Sequence, residues 1–340
     1  MGITILATVF VFSIIVFVHE LGHFLTAKLT GMQVDEFAIG FGPKLCACKR
    51  GETLYSLRVI PLGGFNKIAG MTEEEELTAR SFLNKPVLAR LLVISAGAVM
   101  NFILAFVLLW GIIFVNGIAT VSTEPVIGTV MEDSAAAAAG LKAGDRITSI
   151  SGSAVTTWQD IPDAVTRHSR EVVTVEFERD GRGNSVSLIP KTDSQTKRPL
   201  LGVVPVVTSE QQGFAAAAGC AAERTAVLGS MMLGGLYRMV TGTEKAELAG
   251  PIGVAQLAGQ AASVGFVNLL TFTAFLSLNL GILNLLPIPM LDGGYIILIM
   301  LEGLTRRRMP QKALYYIQMT GVIILAGMFI FAMLQDISRF

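Results

Sequence analysis

Four stretches of the chain stay apolar and uncharged for longer than water-soluble segments normally do: residues 1–18, 91–123, 248–291 and 313–335. The third is densest in Leu, Ile and Phe from Val267 onward. Each can supply the roughly 20 apolar residues that cross a hydrocarbon core about 30 Å thick. The pattern predicts spans near 4–27, 93–116, 267–290 and 314–335. The first stretch lacks a basic n-region and runs straight into charged residues rather than a small-residue cleavage site, so it reads as a span and not as a cleaved signal.

Between the second and third spans the pattern changes. Residues 125–131 and 172–178 read as strands, the latter as Val-Val-Thr-Val-Glu-Phe-Glu with partial alternation. Ala135 to Ala139 reads as a short helix stopped by Gly140, Gly144-Asp145 as a turn, and 158–168 as a helix, with further strands near 185–190 and 200–206. This is a small α/β module over 122–207. Residues 208–266 read as a linker with membrane-surface amphipathic helices, because Phe214–Met239 is rich in Ala, Leu and Met yet carries Glu223, Arg224 and Arg238. The membrane domain is then in two parts, 1–120 and 267–340.

Composition narrows the classes. Only 15% of the 340 residues are charged against 52% hydrophobic, and the mean hydropathy is +0.61. That excludes a disordered chain and argues against an ordinary cytosolic enzyme. Lys+Arg and Asp+Glu balance at 26 each, so no basic excess points to nucleic acid. Three cysteines, Cys46, Cys48 and Cys220, are too few for a disulfide framework, and Cys46-Ala47-Cys48 reads as free thiols. Basic residues crowd two alternate loops: Lys28 to Arg90, and Arg306–Arg308 with Lys312. Both loops are therefore expected in the cytoplasm, with both termini and the 120–265 segment outside. Arg306–Arg308 would also meet lipid head groups. Glu73–Glu76 reads as a solvated acidic run, and His168 as a surface residue ending the module's helix.

The chemistry starts at His19-Glu20-Leu21-Gly22-His23. Two His four apart share one helix face and can ligate one metal, while Glu20 is placed to take a proton from water activated there. An ionisable cluster following 18 uncharged residues is costly at bilayer depth, which makes it functional by default. A catalytic zinc normally takes three protein ligands. Asp292 is the only acidic residue between Glu247 and Glu302, within Asn284-Leu285-Leu286-Pro287-Ile288-Pro289-Met290-Leu291-Asp292-Gly293-Gly294. Two prolines and two glycines break the helix there, and such backbone is tolerated at membrane depth only where it lines a protein cavity. An aspartate that merely ends a helix is the plainer reading of the same spacing.

Together, the HExxH motif and the later Leu-Asp-Gly motif resemble the site-2 protease family, close to its bacterial sigma-E-regulating branch. The resemblance implies one Zn2+ per chain held by His19, His23 and Asp292, with Glu20 as general base and acid. It runs over nearly the whole chain. Arg58-Val59-Ile60-Pro61-Leu62-Gly63-Gly64-Phe65 is similar to the family's membrane re-entrant β-loop, expected here near 53–70. Ala96-Gly97-Ala98-Val99-Met100-Asn101-Phe102 is similar to its second-span motif, and Gly250-Pro251-Ile252-Gly253 to the stretch before its third span. Ala139-Gly140-Leu141-Lys142-Ala143-Gly144-Asp145-Arg146-Ile147, followed by Ile150-Ser151-Gly152, looks like a bacterial-type PDZ signature. There is room for one such module where well-studied members have two, and residue 135 is Ala where Pro is usual.

The expected architecture is therefore a polytopic α-helical membrane protein of about four spans, with a re-entrant β-loop and an inserted extracytoplasmic PDZ domain. It is expected in a bacterial cytoplasmic membrane, hydrolysing transmembrane segments of protein substrates such as anti-sigma factors or remnant signal peptides. The PDZ module would contact peptide or substrate. Asn284 and Pro287 are implied to hold unwound substrate, and Gly63 and Gly64 to offer a strand edge for pairing; Asn284 as a helix-packing residue fits equally. Two other readings stay open: a catalytically silent PDZ scaffold, and a zinc transporter using the same three ligands.

Overall fold

The computed structural model describes residues 2–71, 77–167, 172–192, 199–243 and 250–338; the acidic run Glu73–Glu76 and His168 lie outside them. The chain forms two compact units, Met1–Phe114 with Gly213–Phe340, and Val115–Gln212.

In the first unit, four helices are long and apolar enough to cross a membrane: α1 (Gly2–Leu29), α2 (Val87–Asn116), α7 (Phe266–Asn284) and α9 (Gln311–Ser338). The expected four spans are thus present. Their outward faces leave Leu6, Val115, Ile323 and Ile330 exposed, a surface suited to lipid rather than water. Inside, Val11 and Ile15 of α1 pack with Leu104 of α2, Leu269 of α7 and Ala258 of α6 (Pro251–Val264). Small residues set the closest approach: a Cβ on Gly22 of α1 would lie 2.8 Å from the carbonyl carbon of Ala96 and nearer still to its oxygen. The helix α5 (Phe214–Val240) is of spanning length, but it is not among the four whose composition suits a crossing.

Between α1 and α2 lies a hairpin of β1 (Val34–Arg50) and β2 (Thr53–Ile68). It is longer than the loop expected near 53–70, and it is doubled back on itself. Its distal half pairs Arg50 with Thr53 and Cys46 with Leu57, its proximal half Ile39 with Gly64 and Phe37 with Asn66, as in any hairpin. Phe37, Ala38 and Ile39 also pair with Tyr55, Ser56 and Leu57, which run in the same direction. The fold-over is placed where Gly40 and Gly42, both at positive φ, precede Pro43. Glu52 at the tip is then brought to the end of α1, where it accepts from Lys28 Nζ at 2.6 Å and from the Arg80 guanidinium at 2.6 and 2.8 Å.

After α7, Pro287 and Pro289 remove backbone donors, and the chain turns through residues 285–291 before α8 (Asp292–Thr305). Asp292 is the first residue of α8, not part of the spanning helix before it. At the far end of α9, buried Asp336 accepts from the backbone N–H groups of Gly250 (3.0 Å) and Gly253 (2.9 Å), satisfying donors at the start of α6.

The second unit is built on a four-stranded antiparallel sheet in the order β6 (Ser153–Ala154), β5 (Arg146–Ile150), β7 (Val173–Arg179), β8 (Arg182–Leu188). Strand β7 alternates buried Val173, Val175 and Phe177 with exposed residues, the period-two pattern of a half-covered sheet. These side chains pack with Ile147, Ile150 and Leu141, and with Ile161 and Val165 of α4 (Asp160–Arg167). The remaining pairs are β3 (Ile118–Val121) with β12 (Val207–Glu210), β4 (Ile127–Val130) with β11 (Val203–Pro205), and β9 (Lys191–Thr192) with β10 (Pro199–Leu200). A one-turn helix α3 (Ala135–Ala138) is capped by Ser134, whose hydroxyl accepts from Ala137 N–H.

Candidate metal centre

Four-residue spacing on α1 places the His19 and His23 rings on one buried face, their Nε2 atoms 3.2 Å apart. The Asp292 carboxylate reaches both from the start of α8: Oδ2 is 3.4 Å from His19 Nε2 and 3.7 Å from His23 Nε2. These ligand atoms lie within 4.8 Å of one another, and among the described residues they form the metal-competent cluster. Asp292 Oδ2 is buried and has no hydrogen-bond partner, an arrangement that is costly unless a cation answers it.

The spacing fits zinc. Ligand atoms at about 2.0–2.1 Å from a tetrahedral zinc lie about 3.3–3.4 Å from each other, and the three separations here bracket that figure. Two imidazoles and a carboxylate are also a donor set typical of catalytic zinc, with the fourth position left open. Gly97 of α2 leaves the room. A Cβ there would lie 2.6 Å from Cε1 of both His19 and His23, and closer to His23 Nε2. The rings have outer partners on α2 as well. His23 Nδ1 donates to Val93 O at 2.8 Å, so its Nε2 carries a lone pair toward the cluster. His19 Nδ1 is 3.2 Å from Asn101 Nδ2.

Glu20, one residue on, is held from the hairpin side. Asn66 Nδ2 donates both to its backbone oxygen and to Oε2, each at 2.7 Å. Gly64 presses on the same side chain; a Cβ there would lie 3.2 Å from Glu20 Cγ. Gly63 has φ +123°, and a Cβ at that position would enter the Phe41 ring. The strand carrying Gly63 and Gly64 thus lies against the carboxylate. Asn284 is half-buried at the end of α7 and its side chain bonds no other described residue, and Pro287 is exposed in the turn that follows; neither joins the three-ligand cluster. Asn66 was not singled out by the sequence, since it stands just beyond the glycine pair with no pattern of its own. Gly97 and Asn101 were visible only as members of the second-span motif.

The family model for peptidase family M50 matches residues 7–328. Among named relatives, the zinc metalloprotease-like protein CA_C1796 of Clostridium acetobutylicum is 34% identical, over 98% of this chain and 97% of its own length. The regulator of sigma-W protease RasP of Bacillus subtilis is 30% identical over 99% of this chain and 98% of its own. The zinc metalloprotease RasP of Bacillus licheniformis is 30% identical, covering 99% of both chains. Among solved structures, a PDZ domain of the SdrC-like protein from Listeria monocytogenes is 21% identical and covers 26% of this chain and 94% of its own, with a TM-score of 0.23, a likeness too slight to assign the inserted unit.

Proposed function

This chain belongs to peptidase family M50 and is a zinc-dependent intramembrane protease; from that premise we propose which residues carry the reaction and what they act on. His19, His23 and Asp292 hold the zinc, and Glu20 is the general base and acid. The observation that carries the assignment is the convergence of three ligand atoms at tetrahedral spacing, with the one adjacent carboxylate tied down on the hairpin side.

Zinc in this site supplies a Lewis acid that polarises the scissile carbonyl and eases deprotonation of water. The residues do the rest. Asn66 occupies Oε2 of Glu20, which leaves Oε1 to accept the proton from water and return it to the leaving amine. A transmembrane substrate hides its carbonyls in helical hydrogen bonds, so it must be drawn out as an extended segment before attack. The strand bearing Gly63 and Gly64 lies against Glu20, and an unwound segment pairing along it would pass the base. Asn284 and Pro287, at the break after α7, would hold that segment from the other side.

The same reading places the chain in a bacterial cytoplasmic membrane, with the Lys- and Arg-rich loops inside and both termini outside. The 122–207 insert is a PDZ module, a reading supported by the Gly140–Ile147 signature, and it would bind extended peptide. Membrane-embedded regulators such as anti-sigma factors, in keeping with one relative named as a regulator of sigma-W, and remnant signal peptides are the substrates that suit this arrangement. The test is cleavage of a reporter carrying one transmembrane helix by purified protein, beside Glu20→Gln. Cutting by the parent, absent in the variant at equal zinc content, is the expected result. Equal cutting by both would remove Glu20 from the mechanism.

A further inference from the structure

Asn101 is fully buried in α2 and faces His19. Its amide nitrogen lies 3.2 Å from His19 Nδ1, while its carbonyl Oδ1 is buried without a hydrogen-bond partner. Its backbone oxygen is held from α7, where Ser277 Oγ donates to it at 2.9 Å. This amide sits beside the one ligand whose proton position is not set by a backbone carbonyl alone.

A neutral imidazole carries one N–H and one lone pair, and what bonds the first nitrogen decides what the second offers. With the amide nitrogen toward the ring, Asn101 donates to Nδ1. The His19 proton then sits on Nε2, aimed at His23 Nε2 3.2 Å away, and in that tautomer His19 cannot ligate. With the amide turned half round, Oδ1 accepts from Nδ1–H and Nε2 presents its lone pair beside that of His23. The two ends of an amide are nearly equal in size, so the turn needs no repacking.

We propose that Asn101 is a positioning residue for zinc: its side-chain carbonyl takes the Nδ1 proton of His19 and holds that ring in the ligating tautomer. This rests on the reading of His19, His23 and Asp292 as zinc ligands. Outer partners of this kind are worth roughly 10–100-fold in metal affinity. The Gly97 backbone also stands close to the His19 ring, so Asn101 is not its sole neighbour there and the effect belongs near the lower end.

The experiment is a zinc dissociation constant by chelator competition on the detergent-purified full chain, for the parent, Asn101→Leu and Asn101→Asp, with the visible spectrum of the cobalt-substituted forms. Leu keeps the forked shape, with bulkier ends, and removes the acceptor; Asp keeps the volume and an acceptor and adds charge. The proposal expects Asn101→Leu to weaken zinc about tenfold and alter the cobalt spectrum, with Asn101→Asp within a few-fold of the parent. A packing role alone expects the extra bulk of Leu to lower the unfolding midpoint while zinc affinity is kept; unchanged affinity in Asn101→Leu, or a greater loss in Asn101→Asp than in Asn101→Leu, overturns the proposal. Should Asn101→Leu not fold, Asn101→Asp still decides, because a large loss of affinity there also overturns it. A parent chain that takes up no zinc would instead overturn the ligand reading on which the proposal stands.

Discussion

Gly97→Ala tests the geometry of the centre with one methyl group. The added Cβ would stand 2.6 Å from Cε1 of His19 and of His23, where ordinary contact begins at 3.4 Å, a shortfall of about 0.8 Å at two rings at once. Neither ring can retreat freely. His23 is pinned by its bond to Val93 O, and His19 is packed against Asn101. The helices cannot separate cheaply either, since Gly22 of α1 already touches the Ala96 backbone one residue away. Overpacking of this kind costs about 1–3 kcal/mol of stability, which a membrane helix pair can absorb. A zinc site cannot absorb it, because ligand distances must hold within about 0.2 Å. The variant is therefore expected to fold, with a modestly lower unfolding midpoint, and to lose most of its zinc and about 10–100-fold of its cleavage rate. Gly111→Ala on the same helix, where a Cβ meets nothing within 4 Å, is the matched control and should keep both. Elemental analysis and reporter cleavage on the two variants read the outcome. Full zinc occupancy and parental cutting by Gly97→Ala would refute the placement of the metal between these rings.

Two further predictions concern parts that hold the centre and the insert. Arg90, with a side chain 4% exposed, makes a two-bond pair with Glu302 of α8 at 2.8 and 3.1 Å; Glu302→Ala should cost about 3–5 kcal/mol by leaving that charge unanswered, with Arg90→Met added in the same chain restoring much of it. Thermal unfolding in detergent reads both, and an unchanged midpoint in Glu302→Ala would dismiss the pair as an anchor of α8. In the insert, Asp160 is drawn down to about 2 by the backbone N–H groups of Thr157 and Thr156 and by the Thr156 hydroxyl. Its contribution is therefore complete above about pH 4, the ordinary carboxylate range, and is lost as pH falls toward about 2. Trp158 fluorescence should show a shallower acid unfolding for Asp160→Asn, and an identical acid profile in the variant would count against a stabilising role for these bonds. Asp145 acts with the same sign: burial raises its carboxyl, but the Arg179 guanidinium and the Lys142 N–H outweigh that and hold it below its usual value.

The legible parts of this chain were those written in local pattern. Spanning helices announce themselves as uncharged runs, and His19 and His23 declare their shared face because helical periodicity alone brings i and i+4 together. Asp292 stood out as the lone acid in a long uncharged stretch, and only the resemblance of its Leu-Asp-Gly motif made it a ligand, since nothing local says which helix it will face. β1 stayed hidden for a related reason: Gly40, Gly42, Pro43, Lys44 and Lys49 interrupt any strand pattern, and its pairing comes from a fold-over that no window of ten residues contains. Asn66 and Asn101 are the extreme case. Each is one polar residue whose partner lies 46 or 82 positions away, and only tertiary structure distinguishes them from any other buried amide.

The break after α7 gives a reason for the third proposed ligand to come from such a place. α1 spends its inward face on the two proposed ligands, and a third side chain on the same helix would point elsewhere, because positions 16 and 26 fall a full turn away along the axis. The carboxylate has to arrive from another element, end-on, at the height of the two rings. The Pro287 and Pro289 turn stops one helix and starts the next, so that Asp292 stands at the first position of α8, where free backbone N–H groups favour a negative charge. Gly293 and Gly294 make the turn tight enough: a Cβ on Gly293 would lie 2.5 Å from the carbonyl carbon of Leu285, and one on Gly294 2.5 Å from Ile288 O. The irregular backbone that lipid would penalise is thus lodged against protein, and its reward is a carboxylate presented to two imidazoles from outside their helix.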